Sequence, residues 1–181
     1  EKILFPTPPL ACLFMAMSNP IIAALDVPTA EQALALAEQL APVVGAFKIG
    51  SELFTGAGPD MVRRIRALGG PVFLDLKFHD IPNTVAKAVA AAVRLDVQML
   101  TLHTGGGLEM MRAAEEAAQN TARQAGRAAP LVLGVTVLTS MNTQALSETG
   151  CEANVGSQVE RLASLAVRAG LPEGAPGVRV A

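Results

Sequence analysis

The sequence predicts an α/β protein in which short, buried strands alternate with helices. Five apolar runs of strand length are each followed by a segment with helical periodicity. Hydrophobic residues make up 51% of the chain and charged residues 17%, which supplies a sizeable core and argues against disorder. Because buried strands joined by helices are typical of parallel sheets, we expect the strands to run parallel.

Each element is indicated by its own local pattern. Strands are predicted at residues 20–25, 45–49, 71–75, 97–102 and 130–136. Thr29, with Gln32 three residues later, forms a capping-box pattern at the start of the first helix. Further helices are predicted from near Pro59 to Gly69, from Asn83 to about Leu95, from about Leu108 to Gln124, and from about Val155 to Arg168.

Two parallel architectures fit this alternation, an open doubly wound sheet and a (β/α)₈ barrel. No GxGxxG pattern follows the first strand, and its absence there argues against a dinucleotide-binding site. Polar residues cluster at strand ends, where a barrel carries its catalytic groups. The polar residues at these strand ends are Asp26, Lys48, Asp75, Lys77 and His103. Their placement favours the barrel family, of which about five strand–helix units are present.

The two ends of the chain differ from the part between them. Residues 1–16 carry three prolines and an apolar run too short to span a membrane, and Met17 resembles a natural start. We therefore expect an N-terminal extension at 1–16, a partial barrel domain at 17–170, and an aberrant tail at 171–181, where the strand–helix pattern is lost.

Charge and cysteine content exclude several classes of function. A formal net charge of −2 provides no basic footprint for nucleic acid. The two cysteines, Cys12 and Cys151, form no CxxC pattern and have no histidine spacing suited to zinc. We expect no membrane or nucleic-acid partner, no bound metal, and a reducing cytoplasmic location.

A charged cluster is predicted where the third strand ends. Asp75 and Lys77 are two residues apart, so their side chains point to the same side of a strand, and Asp80 follows as the chain turns. With Lys48 on the neighbouring strand, such a cluster can pair its own charges and hold a lysine ammonium against one atom of a ligand. A salt-bridged strand end with no chemistry fits the spacing equally well.

A longer stretch of sequence, residues 73–85, resembles the signature of the bacterial-type orotidine 5'-phosphate decarboxylase family. It reads Phe-Leu-Asp-Leu-Lys-Phe-His-Asp-Ile-Pro-Asn-Thr-Val. Other segments agree in order and spacing, and the resemblance covers about residues 19–170. They are Ala24-Leu25-Asp26, Phe47-Lys48-Ile49-Gly50 with Glu52-Leu53-Phe54, His103-Thr104-Gly105-Gly106, and residues 135–141.

The resemblance implies a (β/α)₈ barrel enzyme of pyrimidine biosynthesis. Its reaction converts orotidine 5'-monophosphate to uridine 5'-monophosphate and CO₂ without metal or organic cofactor. Lys77 matches the proton donor, Asp75 the carboxylate that positions it, and Asp80 a residue reaching into the partner's site in a homodimer with shared active sites. Substrate binding is implied for Asp26, Lys48, Asp75, Asp80, Thr84, Thr139 and Ser140.

The residues next to these positions are expected to have structural roles. His103 is expected to hold the geometry of the site or a dimer contact, and His79 to pack or lie at an interface. Residues 105–107, three glycines before a helix, fit a phosphate cradle by position. Because the family binds phosphate elsewhere, we interpret them as a close-packed turn.

The C-terminal part departs from the family pattern. In the family, the residues that bind the substrate phosphate lie on the last strands of the barrel. The segment Pro176-Gly177-Val178-Arg179 resembles one of these elements, but it follows Gly170 too closely for the strand and helix that should intervene. We therefore expect a C-terminally truncated or frameshifted copy with little or no activity, and assign Arg179 no role. Two alternatives stay open: a sugar-phosphate decarboxylase of the 3-keto-gulonate 6-phosphate type, which needs Mg²⁺, and a non-catalytic fragment.

Overall fold

A computed structural model describes residues 19–172 of the chain. Within this range the chain forms two compact units, residues 19–72 and residues 73–172. Both units consist of parallel strands alternating with helices. The α/β class predicted from the sequence is therefore confirmed.

The first unit contains two strands and three helices. They are β1 (Ile22–Ala24), α1 (Ala30–Leu40), β2 (Ala46–Gly50), α2 (Ser51–Ala57) and α3 (Asp60–Ala67). β1 and β2 pair in parallel, with Ile22 opposite Ala46 and Ala24 opposite Lys48. The Thr29 side chain accepts a hydrogen bond from the backbone N–H of Gln32, so the predicted cap of α1 is confirmed.

The core of the first unit lies between β2 and its helices. Phe47 and Ile49 of β2 are fully or almost fully buried, as are Met61 and Ile65 of α3. Their spacing of four residues places Met61 and Ile65 on one face of α3. The buried side chains of Phe47 and Ile49 thus anchor β2, the strand that carries Lys48.

The second unit begins with β3 (Val72–Phe78), at the boundary between the units. Its remaining elements are α4 (Pro82–Arg94), β4 (Met99–His103), a 3₁₀ turn (Thr104–Gly106), α5 (Leu108–Gln124), β5 (Leu131–Val135), α6 (Thr143–Glu148) and α7 (Val155–Arg168). β4 pairs in parallel with β5 over its whole length, from Met99 opposite Leu131 to His103 opposite Val135. β3 pairs with β4 on the other side.

Two long helices pack closely in the second unit. α4 contacts α5, and Val85 and Val89 of α4 are buried. On α5 the buried positions repeat every three to four residues, including Met111, Ala114 and Ala118. Small alanine side chains on that stripe let the two helices approach each other. The second of these helices, α5, also contacts the 3₁₀ turn that follows β4.

Several further predictions can be compared with the structure. The helices at 108–124 and 155–168 have the predicted bounds, whereas α2 and α6 were not predicted. Within residues 19–172, no helix is long and apolar enough to cross a membrane. The N-terminal extension at 1–16 and all but the first two residues of the predicted tail lie outside the described residues, and the single partial-barrel domain at 17–170 stays a prediction.

Candidate active site

The centre of the candidate site is an ion pair between Lys77 and Asp75 at the end of β3. The Lys77 ammonium donates to both carboxylate oxygens of Asp75, each at 2.9 Å. The Asp75 side chain is 14% exposed and that of Lys77 is 34% exposed, so the pair is partly shielded from water but still accessible. A ligand can therefore reach the ammonium, whose direction Asp75 fixes.

The backbone around this pair is irregular. β3 and β4 are in register at Leu74 opposite Leu100, and again at Phe78 opposite Leu102. Residues 75–77 of β3 are thus opposite Thr101 alone, which is a bulge. Lys77 has φ of 51°, in the left-handed region that non-glycine residues rarely occupy. Strain of this kind costs on the order of 1–3 kcal/mol and tends to persist at functional sites.

Thr101 fills the gap that the bulge opens. Its hydroxyl accepts a hydrogen bond from the backbone N–H of Lys77 at 2.9 Å and donates one to Asp75 Oδ1 at 2.9 Å. The Thr101 side chain is completely buried. Sequence reasoning missed this residue, although a threonine between Leu100 and Leu102 in an apolar strand was a visible clue.

Two histidines lie beside the ion pair. The rings of His79 and His103 are tilted, with centroids 5.4 Å apart. Burial lowers the pKa of His103 below its usual 6.5, and the nearby charges of His79 and Lys77 lower it further. His103 is therefore expected to be neutral at pH 7.

Asp80 and Thr84 lie on the outer side of the second unit. Asp80 is exposed, and its carboxylate accepts a hydrogen bond from the backbone N–H of Ile81 at 2.6 Å. Thr84 is exposed in the first turn of α4. Ile81, between them in sequence, is 65% exposed. Within one chain, the structure thus directs Asp80 toward its own loop and the solvent.

A shallow cavity of about 590 Å³ lies at this surface. Its lining consists of His79, Asp80, Ile81, Pro82, Gly105 and Gly106. A side chain at Gly106 would collide with Met110 and come within 3.2 Å of His79. The turn is thus close-packed at Gly106, whereas a Cβ at Gly107 would meet nothing within 4 Å.

Asp26 and Lys48 form a second ion pair, in the first unit. Lys48 Nζ donates to the two Asp26 oxygens at 3.0 and 3.3 Å. The Asp26 side chain is 62% exposed and that of Lys48 is 23% exposed. The parallel pairing of β1 with β2 places these residues at neighbouring strand ends. A carboxylate that accessible can accept hydrogen bonds from ligand hydroxyl groups.

Thr139 and Ser140 follow β5 in an exposed turn. The Met141 backbone N–H donates to the Leu138 carbonyl at 2.9 Å, which closes the turn around these two residues. Both hydroxyl-bearing side chains are exposed. Among the described residues, no three His, Cys, Asp or Glu side chains converge in a way that could hold a metal ion.

Comparisons with known proteins give consistent results. The family model described as "Orotidine 5'-phosphate decarboxylase / HUMPS family" matches residues 19–178. The orotidine 5'-phosphate decarboxylase of Dichelobacter nodosus is 53% identical over 153 residues, covering 84% of this chain and 65% of that protein. The enzyme of the same name from Moorella thermoacetica is 50% identical over 158 residues, covering 87% of this chain and 63% of that protein.

A solved structure shows the same similarity. The crystal structure of orotidine 5'-phosphate decarboxylase from Lactobacillus acidophilus superposes with a TM-score of 0.74 at 35% identity, covering 84% of this chain and 68% of that one. The fold is thus that of the (β/α)₈ barrel class, with five strand–helix units in residues 19–172. The chain belongs to the orotidine 5'-phosphate decarboxylase / HUMPS family. It spans less than two thirds of the length of these sequence relatives.

Proposed function

We propose that the protein decarboxylates orotidine 5'-monophosphate to uridine 5'-monophosphate, with Lys77 as the proton donor. The observation that carries this proposal is the Lys77 ammonium held by both oxygens of Asp75 at a bulged strand end. Membership of the family supports the choice of substrate. The proposed reaction needs no metal or organic cofactor.

The chemistry follows from the position of the ammonium. The bond between C6 of the pyrimidine and its carboxylate breaks, CO₂ leaves, and the electron pair stays on C6. A positive group close to C6 stabilises that developing charge. Lys77 then transfers a proton from Nζ to C6, which gives the product, and water reprotonates the resulting amine.

Asp75 has a positioning role in this proposal. An ammonium carries three N–H donors, and Asp75 accepts two of them, so the third can be directed at the substrate. Substrate-binding roles for Asp26, Lys48, Thr84, Thr139 and Ser140 rest on the resemblance of their segments to the family. Each of these side chains is at least partly exposed.

The test is decarboxylation by the purified chain with protein in excess over substrate. Loss of orotidine 5'-monophosphate absorbance reports conversion even when turnover is slow. We expect the wild-type chain to convert the substrate slowly, in line with the little activity expected from its sequence, and Lys77→Ala to lower the rate by at least ~10²-fold. Lys87→Ala is the matched control, because Lys87 is an exposed lysine of α4. No conversion by wild type, or an unchanged rate in Lys77→Ala, would refute the proposal.

The same assay distinguishes the proposed function from the sugar-phosphate decarboxylase alternative. A decarboxylase of the 3-keto-gulonate 6-phosphate type depends on Mg²⁺, so a chelator would abolish its activity. We expect conversion of orotidine 5'-monophosphate to be the same with and without chelator. Conversion of the sugar phosphate and its loss on chelation would instead support the alternative.

We propose further that the protein is a cytoplasmic homodimer with shared active sites, in which Asp80 reaches into the partner's site and contacts the substrate ribose there. The outward position of Asp80 and the 65% exposure of Ile81 support this assignment, because both are available to a second copy. The shallow cavity beside them offers a surface for the contact.

Mixing of inactive variants tests the shared site. A hybrid of one Lys77→Ala subunit and one Asp80→Ala subunit contains one intact site and one doubly altered site. Random mixing makes half of the dimers hybrid, so we expect recovery of about a quarter of wild-type activity. Recovery should follow co-refolding of the two variants and be absent from each variant alone. No recovery, with dimers shown by sedimentation, would contradict site sharing.

A further inference from the structure

We infer that Thr101 is a positioning residue for the proposed decarboxylation site, acting through both Asp75 and Lys77. Its hydroxyl group forms hydrogen bonds with both residues, which closes a ring of three hydrogen bonds. The Lys77 N–H donates to Thr101 Oγ1, Thr101 Oγ1 donates to Asp75 Oδ1, and the Lys77 ammonium donates to that same Asp75 oxygen. Each of these three bonds is 2.9 Å long.

The bulge explains why a side chain is needed at this point. Between Leu74 and Phe78 the pairing of β3 with β4 shifts, and three residues lie opposite Thr101. A bulge leaves backbone groups without their usual ladder partners. The Thr101 hydroxyl takes the place of a ladder acceptor for the Lys77 N–H. It thereby stabilises the left-handed backbone of Lys77, whose φ is 51°.

The chemistry of the hydroxyl makes the residue type specific. One hydroxyl can accept and donate a hydrogen bond at the same time, and serine shares this ability. Valine has nearly the same shape but can do neither. Thr101 is completely buried, so water cannot easily replace the lost bonds. Thr101→Val should therefore loosen the Asp75 carboxylate and the Lys77 backbone together, whereas Thr101→Ser should keep both.

A matched control is available three residues later. Thr104 is also completely buried, and its hydroxyl donates to the Val135 carbonyl at 2.9 Å. Thr104→Val removes a buried threonine hydroxyl of the same kind, but that hydroxyl is bonded to β5. Effects of Thr101→Val that Thr104→Val does not share are therefore specific to Asp75 and Lys77.

Nuclear magnetic resonance of the chain without ligand tests the geometry. We expect a strong contact between the amide proton and the α-proton within Lys77 in the wild type, as a positive φ requires. Thr101→Val should weaken that contact and accelerate Lys77 amide exchange by about tenfold or more. Thr101→Ser and Thr104→Val should leave both within about threefold. A weak contact in the wild type, or unchanged exchange in Thr101→Val, would overturn the inference.

The catalytic consequence rests on the proposed function and has its own readout. In decarboxylation, Thr101→Val should lower kcat by ~10–10²-fold with little change in KM, because it misplaces the reacting group but not the binding groups. Thr101→Ser should restore most of kcat. An equal fall in Thr104→Val, or a change in KM alone, would count against positioning. A wild-type chain without activity would refute the proposed function, while the resonance measurements would still decide the role of Thr101.

Discussion

At the residue scale, the site depends on side chains whose electrostatic environments are set by their neighbours. His103 illustrates this, because burial first and the charges of His79 and Lys77 second lower its pKa below 6.5. A neutral ring beside an ammonium avoids repulsion between two cations. The neutral form of His103 is thus favoured beside the Lys77 ammonium.

Replacing His79 should alter the titration of His103 in a defined direction. In His79→Gln we expect the pKa of His103 to rise toward 6.5 without reaching it, because burial is the larger cause and remains. His79 and His103 are the two histidines of the sequence, so the variant shows a single titrating ring signal. A pKa that falls or does not move would contradict the assigned cause.

The residue types of the site could be predicted from the sequence, but its backbone conformation could not. The D-x-K spacing predicted that Asp75 and Lys77 share one side of a strand, and they do form an ion pair. It could not predict φ of 51° at Lys77 or the bulge, because these depend on the pairing of β3 with β4. Thr101 was missed for the same reason, since its partners are 24 and 26 positions away in sequence.

At the element scale, the long helices were predictable and the short ones were not. α5 and α7 carry strong 3.6-residue periodicity over 17 and 14 residues, which identifies a helix without tertiary information. α2 and α6 have only 7 and 6 residues, too few to show a period. α6 is capped by the Asn142 side chain, which accepts a hydrogen bond from the Ala145 N–H, whereas α2 has no side-chain cap.

The junction between α3 and β3 gives a prediction about stability. A Cβ at Gly70 would lie 2.7 Å from the Phe47 ring, which is buried in the core. We expect Gly70→Ala to destabilise the protein by ~1–3 kcal/mol, because the ring must shift within a packed site. Urea unfolding measures the change.

Gly56 provides the control for that substitution. It lies in α2, it is exposed, and a Cβ there would meet nothing within 4 Å. Gly56→Ala should stabilise the protein by up to ~1 kcal/mol, because alanine favours the helix more than glycine does. Similar destabilisation by both substitutions would show that the contact with Phe47 is not the cause.

At the scale of the whole molecule, two groups make stability depend on pH in opposite directions. The pKa of His103 is lowered, so its contribution to stability is present above about 6.5 and lost as pH falls through its folded pKa. Burial raises the pKa of Glu115 above 4.5, although the hydrogen bond from Gln119 opposes this. The contribution of Glu115 is therefore present below 4.5 and lost as pH rises through its folded pKa.

Removing the charge of Glu115 should therefore stabilise the protein at neutral pH. We expect Glu115→Gln to raise the free energy of unfolding at pH 7, and the gain to disappear below about pH 4.5. Glu116→Gln is the control, because Glu116 is its exposed neighbour on α5. Chemical denaturation over this pH range checks both variants. An equal gain in Glu116→Gln would indicate a general effect of net charge.

The bulge opposite Thr101 also bears on how such a site can be transferred to another protein. The Asp-x-Lys pair owes its geometry to a hydroxyl on the adjacent strand and to the interrupted pairing between the two strands. Grafting the β3 segment alone into a regular parallel sheet would carry over the side chains but not their relative directions. The smallest portable unit is therefore a pair of strands with its irregular register, and a designer would need to copy both.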